Sequence, residues 1–465
     1  MEQVVEQQVV DQDRKPHSKD IIKFTSLAGT ACLFYLMLNF LPFEPQINQG
    51  LALLTCAALL WLTETIHISI TALLIPIVAI FLGLLDTKQA LSGFSHPTIY
   101  LFFGGFVLAA AIHTQGIDKL IAHKLLYLAR GQLKTACFLL FFATAALSMW
   151  ISNTATTTIM LPLALGLLSQ LDKTKHMKTY VFVLLGIGYS ANIGGIGTIL
   201  GSPPNAVAAA HAGISFNEWL EFGLITVSLM LPAMLMCLYL FFKPDLSLQY
   251  EVAPSEEQLS SSAKLTLLIF FLTALCWVNS KSISNYLGGI QKFDTIIALT
   301  SAILLNALGL VNWKKIQQTT EWGVLVLFGG GITLSTILAK TGTSAFLAHN
   351  MAEAFGSSST ALFMLAVIFF VIILTEFASN TASATLLVPI FASIAEALGL
   401  PVIMVCAIIG VSANCAFMLP VGTPPNAIIY GSGYIKQSQM MKAGLLVNIA
   451  ATLILYFLAH MLWNF

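Results

Sequence analysis

The sequence predicts an all-α polytopic membrane protein, and its composition and its apolar runs carry that prediction. Hydrophobic residues make up 57% of the 465 residues, charged residues make up 9%, and the mean hydropathy is +0.85. A soluble globular domain carries about 25% charged residues. The apolar residues also lie in runs of about 20, the length that crosses a hydrocarbon core of about 30 Å. A transmembrane β-barrel would instead show short segments of alternating hydrophobicity.

The apolar runs predict about 11 transmembrane helices and two re-entrant hairpins. The runs lie near 21–41, 50–66, 69–85, 98–114, 180–200, 217–242, 264–280, 294–311, 322–339, 401–420 and 441–463. Two further regions, 135–171 and 358–398, are too long for one span each, because a helix of that length would reach about 55 Å. Ser152-Asn153-Thr154 interrupts the first and Ser379-Asn380-Thr381 interrupts the second. We therefore predict that each region is a hairpin whose tip lies near the middle of the membrane.

A second polar cluster also occurs twice, which indicates an internal repeat. Gly201-Ser202-Pro203-Pro204-Asn205 returns as Gly422-Thr423-Pro424-Pro425-Asn426, in the same order relative to the two tips. Paired polar, helix-breaking segments in the two halves of a membrane protein are typical of transporters with one central site. We divide the chain into a tail at 1–20, a first helix and loop at 21–49, repeat one at 50–242 with hairpin 135–171, a cytoplasmic linker and the start of the next helix at 243–274, and repeat two at 275–465 with hairpin 358–398.

The positive charges predict the orientation of the two repeats. If the N-terminus is cytoplasmic and each span crosses once, all but four of the 21 Lys and Arg residues fall inside; Lys88, Lys281, Lys292 and Lys340 fall outside. This bias follows the rule that positive charges stay on the cytoplasmic side. Hairpin 135–171 then opens from the cytoplasm and hairpin 358–398 from outside, so the repeats are inverted. We expect an inner-membrane protein with a cytoplasmic N-terminus and an external C-terminus.

The residues at the tips suit an anion and a cation together. Ser, Asn and Thr are good helix N-caps, and the free N–H groups of a helix start attract an anion. The prolines of the second clusters break their helices and leave carbonyls free, and hard oxygen ligands suit an alkali cation. The clusters carry no Lys or Arg. A cation about 4 Å from a bound carboxylate would contribute roughly 4 kcal/mol at an effective dielectric near 20. The alternative is that the clusters are kinks that serve only packing.

Other classes of function find little support in the sequence. The formal net charge is +0, so no nucleic-acid partner is expected. The seven cysteines are scattered through apolar segments without metal-ligand spacing. HExxH pairs, paired aspartates within spans and Walker A sequences are absent, so we expect no enzyme and no organic cofactor. The first 20 residues lack the apolar core of a signal peptide.

In its two Ser-Asn-Thr tips and its two Pro-Pro-Asn clusters, the chain resembles the divalent anion:sodium symporter family, which comprises the INDY-like di- and tricarboxylate carriers. The Thr63-Glu64 turn adds to the resemblance, which covers the chain from about residue 45. It implies a homodimer in the lipid bilayer, with a fixed scaffold and a transport domain that moves like an elevator. It also implies sodium ions as co-transported species and C4-dicarboxylates such as succinate, malate or fumarate as substrates.

The resemblance assigns residues to each ligand. The implied sodium sites comprise Ser148, Ser152, Asn153 and the backbone of Gly201 in the first half, and Thr375, Ala378, Asn380 and the backbone of Gly422 in the second. The implied substrate site comprises Asn153, Thr154, Ser202, Asn380, Thr381, Thr423 and Pro424.

Several alternatives remain open at this point. The carried anion could be citrate, another tricarboxylate or sulfate, and a proton-coupled exchanger could share the fold. Glu376, beside the implied ligand Thr375, is a candidate ion ligand or a brace within the membrane. His113 is a candidate for proton coupling or for packing.

Overall fold

The computed structural model describes residues 18–250, 259–355 and 360–462, and these form helices joined by short connections. Most of the predicted tail at 1–20 and part of the predicted linker lie outside the described residues. The expectation of an all-α protein is confirmed, since the described residues contain helices and one isolated bridge between Gln132 and Gln249 but no strand.

Twenty-two α-helices follow one another along the described chain. The first half contains α1 Ser18–Phe40, α2 Pro45–Thr63, α3 Ile68–Phe81, α4 Thr87–Ser92, α5 Pro97–Thr114, α6 Ile117–Leu128, α7 Leu133–Ser148, α8 Asn153–Leu168, α9 Met177–Gly194, α10 Pro203–Ala212 and α11 Phe216–Phe242. The second half contains α12 Ser261–Val278, α13 Ser280–Tyr286, α14 Phe293–Ala307, α15 Trp313–Thr319, α16 Trp322–Lys340, α17 Thr343–Phe355, α18 Thr360–Phe377, α19 Asn380–Ala397, α20 Val402–Ser412, α21 Pro424–Gly431 and α22 Gln437–Leu462.

Seven segments of the described chain are long and apolar enough to cross a membrane. They are Pro45–Thr63, Thr87–Thr114, Met177–Gly197, Phe216–Phe242, Ser261–Val278, Trp322–Lys340 and Gln437–Met461. Several other helices at predicted spans are apolar but shorter, such as Ile68–Phe81, Phe293–Ala307 and Val402–Ser412. Helix α9 is buried from Thr179 to Gly194, so protein rather than lipid surrounds it and it forms the centre of the molecule.

Both regions predicted as hairpins are pairs of helices joined by very short turns. Helix α7 ends at Ser148 and α8 begins at Asn153, while α18 ends at Phe377 and α19 begins at Asn380. The Ser152 hydroxyl accepts a hydrogen bond from the N–H of Ala155 at 3.3 Å, which is the N-cap role expected of it. Ser379 takes the same N-cap position without a side-chain cap in the described structure.

Two helices break at the second polar clusters. Helix α9 passes into a 3₁₀ turn at Gly195–Gly197, and α10 starts with Pro203 and Pro204 in its first turn. The break between α20 and α21 ends in the same way, with Pro424 and Pro425. Proline is tolerated in the first turn because the N–H that it lacks has no intrahelical partner there. Each break therefore places an irregular backbone segment next to a new helix N-terminus.

Two groups of helices each pack closely among themselves. In one group α5 packs on α14, α16 packs on α3, and α1 packs on α2; in the other, α9 packs on α7 and α11, and α22 packs on α11 and α18. A Cβ at Gly104 would lie 2.6 Å from the backbone oxygen of Ala298, and one at Gly330 would lie 2.6 Å from that of Ala72. The two glycines belong to a motif that occurs in both halves, as Phe103-Gly104-Gly105 and Phe328-Gly329-Gly330, and they let a helix of each half pack closely on a helix of the other half.

Candidate binding site

The two tips and the two helix breaks face one cavity of about 610 Å³. Eleven of the residues that the sequence analysis selected line it. They are Ser152, Asn153, Thr154, Gly201, Ser202, Ala378, Asn380, Thr381, Gly422, Thr423 and Pro424. The remaining two, Ser148 and Thr375, lie fully buried behind the tips. Side chains from both halves of the chain therefore surround a single polar space.

The first tip is held by an oxygen-rich cluster. The Ser148 hydroxyl donates to the carbonyl of Ala191 at 2.8 Å and lies 2.6 Å from the Asn153 side-chain amide. The amide atom of Asn153 on this side also lies 3.2 Å from the carbonyl oxygens of Ala191 and Gly201. An NH₂ group at that position would have these three oxygens as acceptors for its two hydrogens. An oxygen there would complete a set of four oxygen ligands, the kind that a hard cation prefers.

The second tip repeats the arrangement of the first. The Thr375 hydroxyl lies 2.7 Å from Oδ1 of Asn380 and donates to the carbonyl of Ala413 at 2.8 Å. Thr375 therefore corresponds to Ser148, Asn380 to Asn153, and Ala413 to Ala191. An equivalent set of neighbouring groups thus surrounds both tip asparagines, although different residue types supply the hydroxyl.

Each Pro-Pro-Asn asparagine holds together the irregular backbone that precedes it. Asn205 Nδ2 donates to the carbonyls of Gly195 at 2.8 Å and Thr198 at 2.7 Å. Asn426 Nδ2 donates to the carbonyls of Ala416 at 2.9 Å and Leu419 at 3.0 Å. Free carbonyls at a helix break must find donors, because neither lipid nor the next helix supplies them. These asparagines thus fix the backbone that ends at Gly201 and at Gly422.

The cavity wall also contains groups that the sequence analysis did not place there. The described residues lining the cavity include Glu64 and Glu321 but no Lys, Arg or His. Glu64 ends α2 in a left-handed conformation, with φ of 47°, and Glu321 immediately precedes α16. A bound anion would therefore meet helix dipoles rather than basic side chains on this wall.

Asn192 is a further residue of the cavity wall that sequence reasoning missed. It is 1% exposed, lines the cavity, and donates from Nδ2 to the hydroxyl of Thr423 at 3.1 Å. A signal for it exists in the sequence, because Ser190-Ala191-Asn192 returns as Ser412-Ala413-Asn414. That tripeptide is short and common, so the repeat stands out only once both copies are seen at the helix breaks.

His113 and Trp150 lie outside this cavity. His113 Nδ1 lies 2.8 Å from the carboxylate of Asp118, which is fully buried, and His113 lines a separate cavity of about 310 Å³. Trp150 packs against Phe216, Phe270 and Trp277, with its ring stacked at 6.3 Å from that of Trp277. Trp150 is therefore a packing residue beside the first tip.

An all-helical membrane protein with paired helix breaks around one polar cavity belongs to the class of integral membrane transporters, and comparison with known proteins gives the family. The family model described as "Citrate transporter" matches residues 58–398 and 294–464. The chain belongs to this citrate transporter family. No catalytic activity accompanies the match, since the family and the relatives below are transporters.

Curated relatives span almost the whole chain. An uncharacterized transporter of Haemophilus influenzae is 52% identical over 438 residues, covering 93% of this chain and 95% of the relative. An uncharacterized transporter of Methanocaldococcus jannaschii is 40% identical, covering 90% and 95%. The sodium-dependent dicarboxylate transporter SdcS of Staphylococcus aureus is 33% identical over 465 residues, covering 92% and 89%. The resemblance to the divalent anion:sodium symporters is thereby confirmed.

A solved structure shares the fold at low sequence identity. The Alcanivorax borkumensis YdaH transporter superposes with a TM-score of 0.56 and 14% identity, covering 81% of this chain and 89% of that one. This likeness supports the transporter fold and carries no information on the substrate.

Proposed function

We propose that this protein is a sodium-coupled importer of C4-dicarboxylates such as succinate, malate or fumarate. The observation that carries the proposal is the pair of equivalent tips around one cavity. Asn153 and Asn380 each sit between a buried hydroxyl on one side and the cavity on the other. A substrate carboxylate on the cavity side and a sodium ion on the buried side would then share each asparagine.

The charges around the cavity support sodium coupling. The described wall carries two carboxylates and no basic side chain, so a dicarboxylate alone would bring two more negative charges into a low-dielectric space. The helix N-termini at Asn153, Pro203, Asn380 and Pro424 each contribute part of a positive charge, and sodium would supply the rest. The relative SdcS, named as sodium-dependent, agrees with this proposal.

The finer architecture is proposed together with the function. We infer about 11 spans and two re-entrant hairpins in inverted repeats, a homodimer, and an elevator-type movement of one helix group against the other. The two helix groups, and the equivalent hydrogen bonds of Ser148 and Thr375, support this arrangement. The bacterial inner membrane is the proposed location.

Citrate is a second candidate substrate, because the matching family model is described as a citrate transporter. One experiment separates the candidates: uptake of labelled succinate into proteoliposomes, in sodium, challenged with unlabelled malate, citrate, sulfate and glutamate. Strong competition by malate with weak competition by citrate supports the dicarboxylate. The opposite order assigns citrate. Uptake that is unchanged when choline replaces sodium would refute sodium coupling.

A further inference from the structure

Two short segments connect the two halves of the site in equivalent ways. Ser190-Ala191-Asn192 lies in the last turns of α9, and Ser412-Ala413-Asn414 lies at the end of α20, 222 positions later. Asn192 and Asn414 are each 1% exposed. A buried amide is stable only when its hydrogen bonds are made, so the partners of these two side chains are informative.

The alanine of each segment contacts the tip of its own half. The Ala191 carbonyl accepts from Ser148, and Ser148 contacts the tip residue Asn153. The Ala413 carbonyl accepts from Thr375, and Thr375 contacts the tip residue Asn380. A displacement of either tip asparagine is therefore passed to an alanine carbonyl through one hydroxyl.

The asparagine that follows each alanine contacts the opposite half. Asn192 Nδ2 donates to Thr423 Oγ1 at 3.1 Å and to Asn426 Oδ1 at 3.3 Å. Asn414 Nδ2 donates to Asn205 Oδ1 at 2.8 Å, and Asn414 Oδ1 accepts from the hydroxyl of Ser202. Thr423 and Ser202 are equivalent residues of the two halves, as are Asn426 and Asn205. Each asparagine therefore contacts the helix break of the other half in the equivalent way.

Through Asn205 and Asn426, these contacts lead to the irregular backbone beside the tip of the other half. Asn205 holds the carbonyls of Gly195 and Thr198, and the segment that they belong to ends at Gly201. Asn426 holds the carbonyls of Ala416 and Leu419, and that segment ends at Gly422. Because an alanine carbonyl and the next side chain belong to consecutive residues of one helix end, they move together. The first tip is thus connected to the second break, and the second tip to the first break.

We propose that the pairs Ala191-Asn192 and Ala413-Asn414 couple the two tip clusters, which are the oxygen-rich surroundings of Asn153 and Asn380. A cation bound in one cluster then raises the affinity of the other cluster for its own cation. The proposal rests on the proposed function, since it names the cations that the two clusters hold. Asn192 and Asn414 are positioning residues that act through Thr423, Asn426, Ser202 and Asn205. Two contacts of the same kind thus join each tip to the break of the other half, and thermodynamic linkage makes the coupling between the two sites reciprocal. Their burial strengthens each hydrogen bond relative to one in water.

The first test is the equilibrium binding of sodium to purified Asn192→Ala, Asn414→Ala and double-variant protein. Removing the side-chain amide cuts the contact between halves and leaves the tip residues unchanged. We expect the Hill coefficient of sodium binding, which exceeds 1 when the two sites are coupled, to fall to about 1, the value for independent sites. Asn48→Ala is the matched control, because Asn48 is also a buried helical asparagine, 6% exposed, and donates only to Leu41 within α2 and the loop before it. A wild-type Hill coefficient in the folded Asn192 and Asn414 variants would overturn the proposal.

A second test leaves Asn192 and Asn414 in place, in case their variants do not fold. Hydrogen exchange of residues 413–422 is followed as sodium is added to the wild type and to Asn153→Ala. We expect the sodium concentration that half-protects this segment to rise at least about fivefold when the first tip is disabled, the lower end of typical allosteric couplings. Protection that is the same in both proteins overturns the coupling.

These outcomes separate the two proposals. If wild-type protein shows neither sodium-dependent uptake nor sodium protection of 413–422, the proposed function fails and the coupling falls with it. If the wild type shows both, but the variants leave cooperativity and protection unchanged, only the coupling fails.

Discussion

The carboxylate of Glu376 accepts a hydrogen bond from the side-chain amide of Asn448 at 2.6 Å. The same carboxylate accepts from the backbone N–H groups of Phe417 at 2.8 Å, Met418 at 2.9 Å and Leu419 at 3.1 Å. These three N–H groups belong to the irregular backbone between α20 and α21. Glu376 is therefore a brace for the second helix break, and its oxygens are already used by protein donors.

We predict that Glu376→Gln destabilises the protein whether or not sodium is present. Glutamine replaces one acceptor oxygen by an N–H₂ group that would face backbone donors, and a buried unsatisfied group costs about 1–3 kcal/mol. Thermal unfolding of purified protein, with and without sodium, checks this. Glu396→Gln is the control, since Glu396 is exposed on the same helix, α19. A loss of stability only in sodium would instead make Glu376 a cation ligand.

The tip asparagines are predicted to be equally necessary for transport. Asn153→Ala and Asn380→Ala each remove one amide that faces both the cavity and a buried hydroxyl. A hydrogen bond to a charged group contributes about 1.5–3 kcal/mol, so uptake at limiting substrate should fall roughly 10-fold to 100-fold.

Sodium-driven succinate uptake in proteoliposomes measures this loss, and Asn350→Ala is its control. Asn350 is exposed on α17, where it donates to the carbonyl of Phe346 at 2.7 Å. Normal uptake by either tip variant would refute the site assignment. A loss in one variant only would show that the two tips have unequal roles.

The glycines at the two breaks should tolerate alanine unequally. A Cβ at Gly201 would lie 2.5 Å from the carbonyl oxygen of Gly195 and 2.9 Å from that of Ser148. A Cβ at Gly422 would meet its nearest atom, Ala416 Cβ, at 3.1 Å. The first substitution forces backbone apart and the second only crowds a methyl group.

We therefore predict that Gly201→Ala raises the sodium concentration for half-maximal uptake much more than Gly422→Ala does. The uptake assay at varied sodium concentration measures both effects. Gly166→Ala is the control, because Gly166 lies in α8 with open space around it, where alanine favours the helix by about 0.5–1 kcal/mol. Equal shifts in the two variants would contradict the prediction.

The sequence was sufficient to predict the two tips, because each of the regions 135–171 and 358–398 is too long to be one membrane span. A region of that length that is broken by Ser-Asn-Thr is expected to turn at those residues. The structure places Asn153 and Asn380 on one cavity. The clusters at Gly201 and Gly422 were visible because two prolines inside an apolar run must break a helix.

The contacts between the halves could not be predicted in this way. Asn192 reaches Thr423, and Asn414 reaches Asn205, across more than 200 positions of sequence. No local sequence pattern predicts which helix end will lie opposite another, because tertiary packing determines it. The role of Glu376, as ion ligand or as brace, could not be predicted for the same reason. Its donors at Phe417 to Leu419 are backbone N–H groups, which any residue type except proline provides.

Inverted repeats predict that equivalent hairpins open to opposite sides of the membrane. Lys175 follows the first hairpin and Lys340 precedes the second, and both are exposed. In a variant without its native cysteines, we expect Lys340→Cys to react with a membrane-impermeant maleimide in intact cells. Lys175→Cys should react only after the membrane is made permeable. Because an odd number of membrane crossings separates the two positions in this topology, labelling of both from the same side would exclude it. Sodium-dependent uptake by each single-cysteine variant shows that the labelled proteins remain native, and labelling of the cysteine-free parent sets the background.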